Sequence, residues 1–254
     1  SYQVDLPQQY NQPPGADQYG TSNRASTIDY RVKNGVVRNG SLWICHNSGH
    51  ANTARTRWYE FALNGWPLSG NDPTLAQYGT LNLGVGEHNW FGDIHVDANN
   101  NAVIAFNRSS VNQYISVEYV YRNANDPAGE FGDPIQLQIS NSPETGSRWG
   151  DYSGVDEDPA NPGNFWNHHE YRTSSWRTWM GYLGPSYEIE VSLSSLVGGT
   201  QARIDMTGAQ PGERIHAIGA LNPGSICPPQ LGGLCLGLGS GARLLASRTA
   251  DSAG

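Results

Sequence analysis

The chain has 254 residues, and 31 Gly, 15 Pro, 13 Tyr and 8 Trp with only 2 Met favour short strands and tight turns over long helices. Its formal net charge of −8 and pI near 5.3 argue against nucleic acid and anionic membranes as partners, because their phosphate groups would be repelled. No apolar run approaches membrane-spanning length, and no charged-then-apolar leader opens the chain, so we expect a soluble mature protein without membrane insertion.

The first 25 residues are rich in Gln, Asn, Pro, Gly and Tyr and show no clear period. We predict that residues 1–25 form an extended arm or the remnant of a preceding repeat.

From residue 26 to residue 185 the same order of elements returns three times. Two copies contain a Trp ahead of a Gly-Asp pair, in residues 90–97 and 149–156. Each is followed by a polar turn, a short apolar strand and an aromatic strand, and a weaker first copy begins with residues 28–32. A period of about 50 residues with about four strands per unit is typical of β-propeller blades. The sequence therefore predicts at least three four-stranded blades.

After about residue 185 the aromatic content falls. Short alternating segments in residues 187–191, 201–206 and 214–219, with a Pro-Gly turn at residues 211–212, predict a small immunoglobulin-like β-sandwich over residues 186–254. That sandwich is either truncated or ends on an exposed edge. Three blades do not close a ring, so we also expect further blades. They would come from the first 25 residues with another segment of the chain, from self-association, or from an N-terminal portion of a longer protein.

The cysteines indicate the compartment. Cys227 and Cys235 are close enough in sequence for a local disulfide, which would stabilise the fold by roughly 2.5 kcal/mol. Such a bridge favours an oxidising, extracellular setting. A metal site on these two thiols is the alternative, although a second pair of ligands is not found nearby. Cys45 is left over and is predicted to be a buried, inert thiol.

Residues 148–154, with Asp158-Pro159, Phe165-Trp166 and Glu170-Tyr171, resemble secreted bacterial β-propellers of the sialidase-like superfamily. Residues 88–122 are similar to the preceding blade of such proteins, and the tail is similar to a small C-terminal domain of secreted bacterial proteins. The resemblance implies a secreted, extracellular propeller. The resemblance does not imply sialidase activity, because the Ser-x-Asp-x-Gly-x-Thr-Trp boxes and the Arg-Ile-Pro signature of sialidases are absent.

A catalytic site is predicted from the histidines of the repeats. His46 and His168 end the second strand of two repeats, so a propeller would let them converge. Histidine or tyrosine as base and arginine as cation would suit a polysaccharide lyase, and carboxylates would suit a glycoside hydrolase. A metal bound by imidazoles and a carboxylate is the alternative. The candidate catalytic residues are His46, Arg148, Asp151, Tyr152, His168 and Tyr171.

The Gly-Asp pairs also have a structural interpretation. Asp93 and Asp151 would then accept backbone N–H groups and tie one repeat to the next.

The large number of tryptophans favours sugar binding, because a pyranose stacks its C–H face on an indole ring. Trp66 and Trp90 are predicted to lie in loops, where a ligand could reach them. The candidate substrate-binding residues are Trp66, Trp90, His95 and Arg57.

Oxygen-rich turns allow calcium, with Asp97, Asn99, Asp156 and Asp158 as candidate ligands, although Asx-rich turns are common without a metal. No other cofactor is required.

The sequence therefore predicts an extracellular protein that binds or cleaves polysaccharide. Two alternatives stay open: a non-catalytic glycan-binding module, and a structural or adhesion module that assembles through open β edges.

Overall fold

The computed structural model describes residues 3–9, 11–146, 148–150 and 153–184 and, further along, six strands within residues 190–249. The chain divides into two compact units, Ser1–Pro185 and Ser186–Gly254. Every strand pair is antiparallel. The described residues form no helix that could cross a membrane. The predicted all-β class is confirmed.

The first unit contains three sheets, in each of which every strand pairs with the next along the chain. Sheet 1 comprises β1 (Gly35–Arg38), β2 (Ser41–His50), β3 (Thr53–Ala62) and β4 (Thr74–Thr80). Sheet 2 comprises β5 (His88–Val96), β6 (Ala102–Ser110), β7 (Gln113–Arg122) and β8 (Ile135–Ile139). Sheet 3 has three described strands, β9 (Gly154–Glu157), β10 (Phe165–Arg172) and β11 (Trp176–Leu183).

Tight turns set the register of sheet 1. Asn39 and Gly40 join β1 to β2 with φ values of 48° and 79°, and Ala51 and Asn52 join β2 to β3 with φ values of 45° and 60°. Two successive positive φ values match the right-handed twist of the flanking strands. The Asn39 side chain also donates to the carbonyl of Ala98, which ties this turn to sheet 2.

Sheet 2 is the middle layer of a stack. Ile104 and Phe106 of β6 pack into one apolar cluster with Trp43 and Trp58 of sheet 1. The alternate residues of β6 face the other way and pack with Phe165 of sheet 3. Because both faces are covered, residues 102–106 form a continuous apolar run rather than an alternating one.

The N-terminal arm lies across one end of the stack. Ala16 and Ala25 form an isolated antiparallel bridge and are both buried. Upstream of this bridge, the carbonyl of Asn11 accepts the N–H of Gly49 at the end of β2. The bridge packs into a third apolar cluster with Trp90, Phe91, Ile115 and Trp149.

The propeller repeat stays a prediction, and the alignment of its two Gly-Asp copies does not match the turns of the structure. In matching turns, the N–H of Asp97 bonds to the carbonyl of Asn101 and the N–H of Asp158 bonds to the carbonyl of Asn164. Counting back from these turns aligns Asp93 with Gly154, not with Asp151. The first strand of sheet 1 is Gly35–Arg38, so residues 28–32, where the weaker first copy was predicted to begin, lie ahead of that strand.

The second unit contains three strand pairs. β12 (Glu190–Leu193) pairs with β13 (Ile204–Thr207), β14 (Arg214–Gly219) with β17 (Arg243–Thr249), and β15 (Pro223–Ile226) with β16 (Leu236–Leu238). The sandwich stays a prediction. Cys227 and Cys235 lie outside the described residues, so the disulfide also stays a prediction. Cys45 is buried and free as expected, and burial raises the pKa of its thiol.

We predict that Ile104→Ala destabilises the first unit by about 2–5 kcal/mol, because it opens a cavity in a fully buried layer. Val111→Ala, at a residue 63% exposed beyond the end of β6, is the control and should change stability by less than about 0.5 kcal/mol. Urea unfolding followed by tryptophan fluorescence measures both. Equal stabilities of the two variants would contradict the three-layer arrangement.

Candidate functional site

A pocket of about 470 Å³ opens where β5 and β9 lie side by side. Three parts of the chain line it: Lys33 and Asn34 ahead of β1, Gly92 and Asp93 in β5, and residues of sheet 3. The principal residues of the third part are Ser153, just ahead of β9, and Asp156, Trp166, Asn167, His168 and Met180 of sheet 3. The pocket thus combines one aromatic surface with amine, amide, hydroxyl, imidazole and carboxylate groups.

The carboxylate of Asp93 holds the walls of the pocket together. It is 3% exposed, and one of its oxygens accepts the N–H of Val155 in β9 at 2.7 Å. The side-chain amide of Asn34 donates to the same carboxylate at 3.2 Å. Burial raises the pKa of Asp93, and these hydrogen bonds oppose that rise. The structural interpretation of Asp93, a carboxylate that ties neighbouring sheets through a backbone N–H, is confirmed.

Glycine makes room for the imidazole of His168. Gly154 pairs directly with His168, and a side chain at Gly154 would overlap the imidazole ring. The ring therefore lies across the backbone of β9, on the exposed face of the strand pair. Any larger residue at position 154 would displace it.

Trp166 is the aromatic surface of the pocket. Its side chain is 44% exposed and packs edge-on against Tyr182, with ring centroids 4.9 Å apart. The register places Asp156 directly opposite Trp166 on the same face. A flat ring beside a carboxylate is therefore available to a ligand in the pocket.

Lys33 brings a cation to the pocket. Its ammonium nitrogen lies 4.0 Å from the centroid of the Phe91 ring, within cation–π range. Burial lowers the pKa of Lys33, and the nearby carboxylate of Asp29 opposes this effect.

The structure does not bring His46 and His168 together. Trp43 and Cys45 of β2 face sheet 2, so His46 points to the opposite face of sheet 1 by strand alternation. There its ring stacks on Tyr59 at 5.7 Å, and burial lowers its pKa. Since His168 lies on the outward face of sheet 3, the middle sheet separates the two imidazoles.

The remaining predicted catalytic residues are dispersed or undescribed. Tyr171 packs edge-on against Trp179, with ring centroids 6.2 Å apart. Arg148 is exposed, on the segment between β8 and β9. Asp151 and Tyr152 lie outside the described residues. Of the predicted catalytic residues with described positions, His168 lines the pocket.

The predicted substrate-binding residues fall in four places. Trp90 is fully buried within β5, so its predicted loop position is wrong and its indole cannot contact a ligand. Trp66 is 39% exposed in a separate apolar groove beside Phe61. Arg57 is buried, and its guanidinium donates to the carbonyl of Gln9. His95 lies beside the pocket, with its Nδ1 3.7 Å from Oδ1 of Asp156.

Two of the predicted calcium ligands, Asp97 and Asp158, stabilise turns, whereas Asp156 lies in β9 and lines the pocket. Asp97 accepts the backbone N–H groups of Asn99 and Asn101, each at 2.8 Å. Asp158 accepts the N–H of Ala160 at 2.8 Å and the side-chain amide of Asn161 at 3.0 Å. The oxygens are therefore engaged as in an Asx turn. Within the described residues, no group of three or more His, Cys, Asp or Glu is placed to hold a metal. Calcium stays a prediction that this geometry does not favour.

Sequence reasoning missed Lys33, Asn34, Trp166, Asn167 and Met180 as pocket residues. Met180 could have been found by pairing the two aromatic-rich strands, because it lies directly opposite His168. Lys33 and Asn34 carry no such signal, since they approach the pocket from a segment outside the strands.

We predict that acid destabilises the first unit partly through His169. This buried imidazole lies 3.0 Å from the carbonyl of Phe91, and desolvation lowers its pKa from 6.5 to about 4. Between those values the unfolded chain binds a proton that the folded chain does not, so stability falls as pH falls, by about 3 kcal/mol in total.

His169→Gln should remove this part of the pH dependence. Urea unfolding at neutral pH and near pH 4.5 measures it, with exposed His50→Gln as the control. Buried His46 and His88, whose pKa values are also lowered, account for part of the remaining slope. An unchanged slope in His169→Gln would contradict the assignment.

We predict that Asp93→Asn destabilises the first unit by about 2 kcal/mol. An amide can accept with one atom only, so its NH₂ group would face the N–H of Val155 or the amide of Asn34 and leave a buried donor unsatisfied. Asp156→Asn is the matched control, because the side chain of Asp156 is 88% exposed. Thermal or urea unfolding measures the stability of both variants. Equal losses of stability would show that the hydrogen bonds of Asp93 do not hold the sheets together.

Comparison of the chain with protein-family models, with curated proteins and with solved structures finds no match.

Proposed function

We propose that the chain is part of an extracellular β-propeller that binds polysaccharide at the pocket beside Asp93. The support for the propeller is the repeated antiparallel meander, with the sheets packed face to face. The first strands of the sheets also adjoin one another, β1 beside β5 and β5 beside β9. In a propeller, the first strands of successive blades adjoin one another around a central channel. The pocket would then lie near that channel.

The observation that carries the binding proposal is the half-exposed indole of Trp166 at the pocket, ringed by polar groups. A sugar ring would stack its C–H face on the indole. Asp156, Asn34 and Lys33 would exchange hydrogen bonds with the hydroxyls. A small number of polar groups around an apolar surface is typical of sites that bind small ligands. The volume of the pocket also lies in the usual range for such sites.

A polysaccharide lyase is the second candidate, because His168 and Lys33 line the same pocket. The imidazole would remove the proton next to a uronate carboxylate, and the ammonium would stabilise the enolate that forms. Collapse of the enolate would break the glycosidic C–O bond and leave a double bond in the new chain end, and the leaving oxygen would take its proton from the imidazolium of His168 or from water. Mass spectrometry separates the candidates: a lyase yields fragments that lack one water, a hydrolase yields fragments that have gained water, and a binding module yields none.

We predict that Trp166→Ala weakens glycan binding by about tenfold or more, which corresponds to about 1.4 kcal/mol of lost stacking. Calorimetric titration against neutral, uronate-containing and sialylated glycans measures it. Trp66→Ala is the matched control, since Trp66 is similarly exposed at 39% but lies in the other groove. If Trp66→Ala lost binding and Trp166→Ala did not, the site would be the groove and not the pocket.

A further inference from the structure

Resting on the proposed function, we infer that the pocket is one end of a longer binding face for an extended polysaccharide chain. The face is the outward side of sheet 3. We call it the aromatic face and define it by Trp166, His168, Trp176, Met180 and Tyr182.

Strand register places these side chains on one side of the sheet. Trp166 lies opposite Tyr182, His168 opposite Met180, and Trp176 is at the far end of β11. Residues two apart along a strand point the same way, so Trp176, Met180 and Tyr182 project from the same face. Their exposed fractions are 67%, 69% and 46%. Three large side chains of one strand are thus open to a ligand.

The aromatic face is continuous with the pocket. Trp166, His168 and Met180 line the pocket and belong to the face at the same time. From Tyr182 to Trp176 the strand advances by about 20 Å at about 3.4 Å per residue. That span exceeds what one or two sugar units need, so a ligand that fills the pocket can continue along the face.

The inference requires that no further blade of the proposed propeller covers the outward face of sheet 3, so that sheet 3 ends the stack on this side. Side-chain chemistry distinguishes this face from one that packs against another sheet. Both faces of sheet 2, which are covered by sheets, consist largely of aliphatic residues such as Ile104, Val120 and Val103. The outward positions of β10 and β11 contain no Leu, Ile or Val. They carry indole, phenol, thioether and imidazole groups, with Thr178 in the middle of β11 and the charged residues Glu170 and Arg172 at one end of β10. Flat rings separated by polar groups suit the alternating C–H and hydroxyl surfaces of a sugar chain.

Charge does not oppose a glycan here. Arg172, which lies opposite Trp176, pairs with the carboxylate of Glu144 at 2.7 Å. The carboxylate of Glu170, opposite Thr178, also lies at this end, and burial raises its pKa. One guanidinium therefore faces two carboxyl groups, so this end of the face offers no excess positive charge and suits a neutral glycan. The ligand is expected to be recognised by ring stacking and hydrogen bonds, so that affinity grows with the number of rings in contact.

Chain-length dependence tests the inference. The probes are disaccharides and hexasaccharides of β-1,4-linked glucose, xylose, mannose and mannuronate, titrated against the whole chain by calorimetry. We expect one series to bind, with its hexasaccharide about tenfold tighter than its disaccharide. Trp176→Ala should abolish that difference and leave disaccharide affinity unchanged, whereas Trp166→Ala should weaken both. Trp176→Phe, unlike Trp176→Ala, should keep most of the wild-type affinity for the hexasaccharide.

The outcomes separate the two proposals. Equal affinities for disaccharide and hexasaccharide, or a Trp176→Ala variant with wild-type hexasaccharide affinity, would overturn the extended face and leave the pocket in place. No binding of any probe would overturn both. If sedimentation velocity showed a dimer that Trp176→Ala dissociates, without any effect on glycan affinity, the face would be an interface between copies and the inference would be wrong. Circular dichroism confirms that each variant is folded.

Discussion

The buried carboxylate of Asp93 is the interaction on which the arrangement of the sheets depends. It joins β5 to the backbone of β9 through Val155 and to the segment ahead of β1 through Asn34. Apolar packing between sheets is not directional, so it resists separation of the layers better than sliding. Hydrogen bonds to a backbone N–H are directional and fix one sheet against the next.

Buried asparagines make the same kind of hydrogen bond between sheets. Asn47 of β2 accepts the N–H of Phe91 in β5, and Asn89 of β5 accepts the N–H of Thr56 in β3. Asn107 of β6 donates to the carbonyl of Glu170 in β10. Each amide is buried, so each bond would be costly to break. The sheets are therefore held in register largely by buried side chains that bond to backbone, together with side-chain pairs such as Asn34–Asp93 and Arg38–Glu157.

This locking leaves sheet 3 with two different faces. Its inner face carries Phe165, Asn167 and His169, which are buried against sheet 2 or bonded across to β5. Its outward face carries Trp166 and His168, which are exposed beside the pocket. Because the inner face alone fixes the position of the sheet, the outward side chains are available for a ligand. Gly154 contributes by letting the imidazole of His168 lie flat against β9.

Composition and local pattern determined the all-β class, the approximate positions of most strands and the burial of Cys45, because alternation and turn chemistry act over neighbouring residues. They also indicated that Asp93 ties sheets together. Tertiary structure alone decided which sheets cover which faces, and so it buried Trp90, separated His46 from His168 and brought Lys33 to Trp166. The physical reason is that a period of two shows that a strand has two faces but not what lies against each. The sequence alignment of Asp93 with Asp151 failed for the same reason. The two copies share a Gly-Asp pair after a Trp, whereas the hydrogen-bonded turns align Asp93 with Gly154.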